Sequence, residues 1–507
     1  MSTTNEAGSS PNLSTRPGTG VGAYALVAAI ASVPLVMQTI RADWSLDVWQ
    51  HAAAILELSS HPFDPRHPTV AVTVGHPDLS PYSLLWGLAH RLTGAHVLTV
   101  LTVAGLVNLA AIWLGLWVAA RRLTRARLAP AFAVPALLLV WGYRPWRWSG
   151  YPSFKSIGFG LPYPSFFAFA AYLIGLAVLI DWLREPRWSR AWILAALGAT
   201  MTLSHPITGA AFGVAVVALL AEAVIGGRAP AGPAFAQLAP PAAVALVALL
   251  VWPFFSISSL FDNAGSYSDA NARVLESILP RAGLAFACLP VVVLLCRRRN
   301  DWRLLVLAIP PLVLVGVGVV IDSPALGRLL PFGLLPVQLA VADVVAGAFS
   351  PSATRRDARL IFGAGVAAIG AVGVATALSH MVPSPLLPAS IADDDRLNTA
   401  RDDADAVDCV PSDAVVIAPE GHLAWPALAS GAKLVVPPNG APEVDDTDER
   451  EAAVEEFLLS PLSRQRQIAE QYNATHVLLS ASAADQVDVE QLGTVECRTD
   501  DVVLIRL

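Results

Sequence analysis

Two aspartates and a histidine occur at helical spacing in a long polar segment near the amino terminus. Residues 41–82 read RADWSLDVWQHAAAILELSSHPFDPRHPTVAVTVGHPDLSPY and follow the first apolar stretch. Asp43, Asp47 and His51 stand at positions i, i+4 and i+8, so a helix through them would place all three on one face. Polar connections of about forty residues are usually functional or disordered. A carboxylate beside an imidazole can act as a general acid or base, which makes Asp47 and Asp43 candidate catalytic residues.

A second polar stretch combines cations with aromatic rings. Residues 143–164 read YRPWRWSGYPSFKSIGFGLPYP. Lys155 could pair with phosphate oxygens, while flat rings such as Trp148 and Tyr163 could stack on the apolar faces of a sugar. These residues are therefore candidates for binding an anionic, sugar-containing ligand. The alternative, an interfacial aromatic belt with extended cations, stays open.

Five further residues are candidate substrate-binding residues. They are His51, His76 and Asp78 of the first polar segment, His205 of the sequence SHPIT, and Arg328 of the sequence GRLLPF. An ionisable residue at membrane depth is a functional hypothesis by default. A buried histidine with satisfied hydrogen bonds and an arginine that extends to lipid phosphates are the alternatives that the sequence leaves open.

The elements that must position these residues are membrane helices. Hydrophobic residues make up 55% of the chain and charged residues 14%, and the mean hydropathy is +0.56. Soluble domains contain about 25% charged residues, and a helix needs about 20 apolar residues to cross a bilayer. The composition therefore predicts a polytopic α-helical membrane protein with about 11 transmembrane helices. The predicted spans are 21–40, 95–120, 129–142, 162–181, 190–204, 207–226, 234–254, 281–296, 304–321, 329–349 and 360–379.

Arginines occur in alternate loops between these spans, and short loops rich in lysine and arginine stay in the cytoplasm. We therefore expect a multi-pass plasma-membrane protein whose amino terminus is cytoplasmic. Residues 1–20, rich in serine, threonine, glycine and proline, are expected to be disordered. The first outer loop, 41–94, and the carboxyl-terminal region are expected to lie outside the cell. The sequence contains no basic patch of the kind that predicts binding to nucleic acid.

Residues 380–507 predict a separate domain. From residue 379 onward the chain contains 24 acidic and 8 basic residues, whereas the part before it is basic. Strand-like runs alternate with helix-like runs, which predicts a small α/β domain on the outer side. Its sequence contains no phosphate-binding loop, metal-ligand spacing or nucleophile elbow, so we interpret it as a structural or acceptor-binding domain. Cys409 and Cys497 lie in this domain, where oxidising conditions permit a disulfide that the sequence leaves open.

These features together resemble the GT-C class of membrane glycosyltransferases, particularly the actinobacterial type that builds cell-envelope arabinan and mannan. The matching segments are DWSLDVWQH (43–51), SHPIT (204–208), GRLLPF (327–332) and QYNATHVLL (471–479). The number of spans and the terminal outer α/β domain match as well, so the likeness covers nearly the whole chain. The resemblance implies a GT-C-like transmembrane domain over residues 21–379.

The resemblance also implies an activity. Such enzymes transfer a sugar, here arabinofuranose or mannose, from a polyprenyl-phosphate donor to a cell-envelope glycan or glycolipid acceptor on the outer face, among membrane lipids. An acidic residue of the first outer loop is the general base of this inverting transfer. Asp47 is the first choice because it faces His51 one helical turn on, and Asp43 is the second. The loop lacks the adjacent Asp-Asp or Asp-Glu pair that is found in some branches of the class. Whether a divalent cation takes part therefore stays open, and no metal ligand is assigned.

In this hypothesis Arg328 and Lys155 hold the donor phosphate, and His205 and His51 position the substrate. The departing phosphate needs no separate acid, because it leaves without protonation. Other functions stay open: a transporter or flippase of lipid-linked sugars, a non-catalytic envelope assembly protein, or an enzyme that uses a lipid-linked oligosaccharide. A transporter would show internal repeats or charges deep within paired spans, which the sequence lacks.

Overall fold

A computed structural model of the chain describes residues 18–44, 47–144, 146, 148–228, 231–258, 274–275, 277–349, 400–438 and 441–507. Most of the predicted disordered start, the predicted span 360–379 and the predicted domain boundary near 379 lie outside the described residues.

Eight helices in the described part of the chain are long and apolar enough to cross a membrane, and each coincides with a predicted span. They are Gly20–Arg41 (α1), Val97–Leu123, Pro164–Arg184, Pro206–Ile225, Gly232–Leu250, Ile278–Arg299, Arg303–Val320 and Pro324–Ala348. The predicted spans 129–142 and 190–204 correspond to the shorter helices Ala129–Leu139 and Trp188–Ser204. The polytopic membrane fold is therefore confirmed.

Two of these spans are interrupted. Ile278–Arg299 consists of Ile278–Ala287 and Leu289–Arg299, where Pro290 cannot donate a helical hydrogen bond. The last described span consists of Pro324–Gly327 and Leu330–Ala348. Arg328 lies at that second interruption, so the chain leaves helical geometry just where this cation is placed.

The loops that contain the arginines meet at one end of the bundle. Asp343 is fully buried there, and it accepts hydrogen bonds from the backbone N–H groups of Arg125 and Ala126 and from the Arg299 guanidinium. Arg122 pairs with Asp181 at 2.7 Å on the same side. The segments that contain the candidate site residues connect the opposite helix ends, as the alternation of the arginine loops predicts.

Two helices outside the spans, α2 (Val48–Ser60) and α3 (Pro81–Thr93), pack against each other at that opposite end. The apolar residues of the sequence 46–58 recur at helical spacing, a pattern that on its own predicts an amphipathic helix on the membrane surface, with Trp44 and Trp49 at the level of the lipid headgroups. This prediction was wrong, because α2 is buried on nearly all sides and both tryptophans are buried in protein. The apolar face of α2 meets the carboxyl-terminal domain and the neighbouring helices instead of lipid.

The carboxyl-terminal domain contains five strands, β1 (Val415–Ile417), β2 (Lys433–Leu434), β3 (His476–Ser480), β4 (Thr494–Arg498) and β5 (Val502–Arg506). They form one mixed sheet in the order β2-β1-β3-β5-β4. The helices are Ala400–Ala406, Gly421–Ala427, Thr447–Phe457, Leu462–Gln471, Ala481–Ala484 and Val489–Leu492. The α/β domain is confirmed, although the sequence reasoning missed the exposed edge strand β4. Cys409 and Cys497 form a disulfide with their Cα atoms 6.3 Å apart.

The domain is docked onto the loop between α2 and α3, residues 61–80. The backbone N–H of Leu434 donates to the carbonyl of Thr69 at 2.7 Å, which extends the sheet pairing into the loop. Lys433 Nζ donates to Glu57 Oε2 at 2.7 Å and to the carbonyls of His67 and Pro68. Strand pairing and a buried cation therefore hold the domain against the end of the bundle.

Candidate active site

Asp47 is the residue that precedes α2. Its carboxylate makes no capping hydrogen bond to the helix, although aspartate commonly caps at this position. The side chain is accessible to water, yet the surrounding protein desolvates it, and this burial raises the pKa of Asp47 above its usual range. A carboxylate that is both desolvated and accessible can accept a proton from a bound substrate.

His51 lies one turn along α2 and is held from two sides. Its Nδ1 is 3.7 Å from Asp78 Oδ1, and its ring meets Tyr163 edge to face with the centroids 4.8 Å apart. Burial lowers the pKa of His51 to about 4, against the opposing effect of Asp47. The imidazole is therefore neutral at physiological pH.

Arg328 and His205 approach the same place from the transmembrane helices. Arg328 Nη2 is 3.4 Å from Ser149 Oγ and 3.5 Å from His205 Nε2. His205 separates Trp188–Ser204 from Pro206–Ile225, and its Nδ1 is 2.7 Å from Thr208 Oγ1. Gly150 has a φ of +83° and lies against the His205 ring. A side chain would strain this turn, so the glycine lets the loop pass close to the imidazole.

Six residues thus form one group at the end of the bundle, which we call the polar cluster: Asp47, His51, Asp78, Tyr163, His205 and Arg328. Burial has the largest effect on the pKa of Asp47 and raises it, and the charge of Asp78 raises it further, whereas the nearby His51 and Arg328 lower it. A carboxylate, neutral imidazoles and a guanidinium therefore act on one another electrostatically, although they come from distant parts of the sequence.

The remaining predicted site residues lie elsewhere. Asp43 precedes the start of α2, so it does not share a helical face with Asp47 as predicted, and it pairs with Arg41 at 3.5 Å. Lys155 is buried with its Nζ 5.6 Å from the centre of the Phe159 ring. Trp148 is half-buried against the bundle core.

His76 and the residues on either side of Trp148 make further contacts. His76 Nδ1 is 3.8 Å from Asp78 Oδ2, whereas His51 approaches the other oxygen of the same carboxylate. Trp146 and Tyr151 are fully buried and stacked 4.2 Å apart, which argues against an interfacial aromatic belt in this stretch. Sequence reasoning missed Ser149 as a partner of Arg328, because a lone serine in a loop carries no signal of its own.

A separate cavity of about 840 Å³ lies between α2, the α2–α3 loop and the carboxyl-terminal domain. Glu57 and Lys433 are in its wall, and no member of the polar cluster is. The acid/base residues therefore belong to the polar cluster and not to this cavity.

No family model matches this sequence, and no curated protein is significantly similar to it. The fold is nevertheless similar to that of ArnT from Cupriavidus metallidurans bound to undecaprenyl phosphate, at 12% identity over 96% of this chain and 98% of that chain, with a TM-score of 0.56. It is also similar to the apo oligosaccharyltransferase of Archaeoglobus fulgidus, at 12% identity over 91% of this chain and 69% of that chain, with a TM-score of 0.51.

The chain has a GT-C membrane fold. At this identity the likeness concerns the architecture, and the chemistry has to be argued from the polar cluster. The GT-C fold predicted from the sequence is confirmed, whereas the actinobacterial arabinosyltransferase or mannosyltransferase type stays a prediction.

Proposed function

We propose that this protein is a glycosyltransferase that moves a sugar from a polyprenyl-phosphate donor to an acceptor hydroxyl. The observation that carries the proposal is that the Asp47 carboxylate and the Arg328 guanidinium lie near enough in the polar cluster to act on each other electrostatically. A base for the acceptor and a cation for the leaving phosphate are the two groups that such a transfer needs. The GT-C fold supports this reading, since ArnT with the same fold binds undecaprenyl phosphate.

In the proposed reaction Asp47 takes the proton of the acceptor hydroxyl as its oxygen forms the new bond to the sugar. The bond between that sugar carbon and the phosphate oxygen breaks, and Arg328 stabilises the negative charge that develops on the phosphate. His205 holds the guanidinium from one side, and His51 holds the acceptor beside Asp47. A single displacement of this kind inverts the configuration at the transferred carbon.

We infer arabinofuranose or mannose as the sugar and a cell-envelope glycan or glycolipid as the acceptor, on the sequence resemblance. The alternating arginine loops support an outer location for the polar cluster and the carboxyl-terminal domain. Arg328 supplies positive charge for the leaving phosphate, and no residue of the polar cluster is assigned as a metal ligand.

The test is transfer of label from radiolabelled polyprenyl-phosphoryl arabinose or mannose to a glycan acceptor by the purified protein. Asp47→Asn should lower kcat by about 10²–10⁴-fold, because the general base is lost. Asp64→Asn is the matched control, since Asp64 is an exposed aspartate of the same segment. Equal activity of the two variants, with both correctly folded, would exclude Asp47 as the base. A wild-type protein that moves intact donor across vesicles without transfer would indicate a flippase.

A further inference from the structure

Two histidines of the α2–α3 loop and a glutamate of the carboxyl-terminal domain form a buried group beside the polar cluster. One potential ligand atom each from His67, His76 and Glu443 lies within 4.8 Å of the other two. The two imidazole rings meet edge to face with centroids 4.7 Å apart, and His67 Nε2 is 3.9 Å from Glu443 Oε2. Among the described residues, this is where three potential metal ligands come together.

The group contains a buried polar atom that no described residue satisfies. His67 has no exposed surface, and its Nε2 makes no hydrogen bond within the described part of the chain. Buried polar atoms in folded proteins almost always have a partner, so an unpartnered nitrogen aimed at a carboxylate points to a missing ligand. Two imidazole nitrogens and one carboxylate oxygen are a donor set that binds Zn²⁺ and leaves a fourth position for water.

We propose that His67, His76 and Glu443 bind a divalent transition-metal ion, with Zn²⁺ as the best match. Borderline imidazole donors select zinc over magnesium and calcium, which prefer sites made of oxygen atoms alone. Neutral histidines and one carboxylate leave one positive charge on the bound ion, and the nearby carboxylate of Asp78 balances it.

The hydrogen-bond partners of the two imidazole rings determine which ring nitrogen carries the proton when a metal is bound. A histidine bound through Nε2 keeps its proton on Nδ1 and donates it to a neighbouring oxygen. For His76 that oxygen is Asp78 Oδ2, 3.8 Å from Nδ1, and for His67 it is Thr69 Oγ1 at 3.3 Å. Without metal, the Nδ1 atoms instead accept the backbone N–H groups of Asp78 and Val70, each at 3.1 Å.

Metal binding therefore moves each ring proton from Nε2 to Nδ1 and turns these backbone N–H groups away. The α2–α3 loop changes conformation when the ion binds. The ion also joins this loop to Glu443 of the carboxyl-terminal domain. Because Asp78 contacts both His76 and His51, the metal fixes the position of a histidine in the polar cluster.

The test measures metal on the full-length protein in detergent, after removal of metals with a chelator and dialysis against ZnCl₂. We expect about one zinc ion per wild-type chain. His67→Gln, His76→Gln and Glu443→Gln should each lose it, whereas His422→Gln, at an exposed histidine of the same domain, should retain it. Hydrogen exchange of the segment 67–78 should change with zinc in the wild type and in the control.

A wild-type protein that takes up no zinc would overturn the proposal, and so would single variants that keep the wild-type stoichiometry. Preferential binding of Mg²⁺ or Ca²⁺ would overturn the assignment to a transition metal. The wild-type measurement stands even if a variant fails to fold. No sugar donor is present in this experiment, so its failure is distinguishable from a failure of the proposed glycosyltransferase activity.

Discussion

Lys433→Met should weaken the docking of the carboxyl-terminal domain on the α2–α3 loop. Lys433 Nζ donates to Glu57 Oε2 at 2.7 Å and to two loop carbonyls at 2.9 Å each, and the Glu57 side chain is 5% exposed. Removing one partner of a buried ion pair costs about 3–5 kcal/mol, because the other charge stays buried without compensation. Since a factor of ten in an equilibrium corresponds to about 1.4 kcal/mol, the docked contact should open about 10²–10⁴ times more often.

Hydrogen exchange measures this opening directly. The amide of Leu434 donates to the carbonyl of Thr69 across the docked contact, so its exchange reports on the contact and not on global unfolding. Arg464→Met is the matched control, because its partner Glu456 and Arg464 itself are 44% and 39% exposed. Exposed pairs contribute about 0–1 kcal/mol, so the control should accelerate exchange by less than about tenfold.

The double variant Glu57→Leu with Lys433→Met separates the two contributions to this cost. It removes both charges, and apolar replacement of a buried pair is often neutral, so exchange should return close to the wild-type rate. If Lys433→Met accelerates the exchange of Leu434 no more than Arg464→Met does, the pair does not hold the domain. The reasoning from burial would then be wrong.

Three further predictions concern the polar cluster and the disulfide. Arg328→Lys keeps the charge but loses the planar fork of donors, so KM for the lipid-phosphate donor should rise about 10–100-fold in the transfer assay; an unchanged KM would contradict phosphate binding. Burial raises the pKa of Asp47, and the charge of Asp78 raises it further, so activity should fall as pH drops towards this raised value. Asp78→Asn should move that acid limb of kcat/KM to lower pH, and an unmoved limb would contradict the coupling. Cys409→Ser opens a link across 88 residues and should destabilise the carboxyl-terminal domain by about 2–5 kcal/mol in urea unfolding, whereas Cys288→Ser, at a free cysteine, should not.

The spans were predictable from the sequence because their apolar runs are long and interrupted by arginine-rich loops. The environment of α2 was not predictable from the sequence. Its apolar residues recur at helical spacing, and that spacing is the same whether the buried face meets lipid or protein. The domain that covers α2 is built from strands more than three hundred residues away in the sequence, as the pairing of Lys433 with Glu57 illustrates. The spacing of the apolar residues therefore predicted the helix α2 but not the elements that pack against it.

The candidate site was predictable to a similar degree. Asp47 and His51 are one helical turn apart, so local spacing was enough to join them. Arg328 and His205 are separated by 123 residues, and their contact depends on how two spans pack. Asp43 was grouped with Asp47 by spacing alone, but the helix begins after it. The sequence around Glu443 does not mark it as a site residue, because its partners His67 and His76 lie in another part of the chain.

Helix amino termini explain why the polar cluster gathers where it does. Asp47 precedes α2, Tyr163 precedes Pro164–Arg184 and His205 precedes Pro206–Ile225. In the latter two helices proline stands in the first turn, where its missing N–H costs no helical hydrogen bond. Each helix start carries partial positive charge and unpaired backbone N–H groups, which favour a nearby anion. In the proposed reaction Arg328 would therefore not act alone on the phosphate: the amino termini of several helices would add to its positive field, while burial keeps the pKa of Asp47 raised.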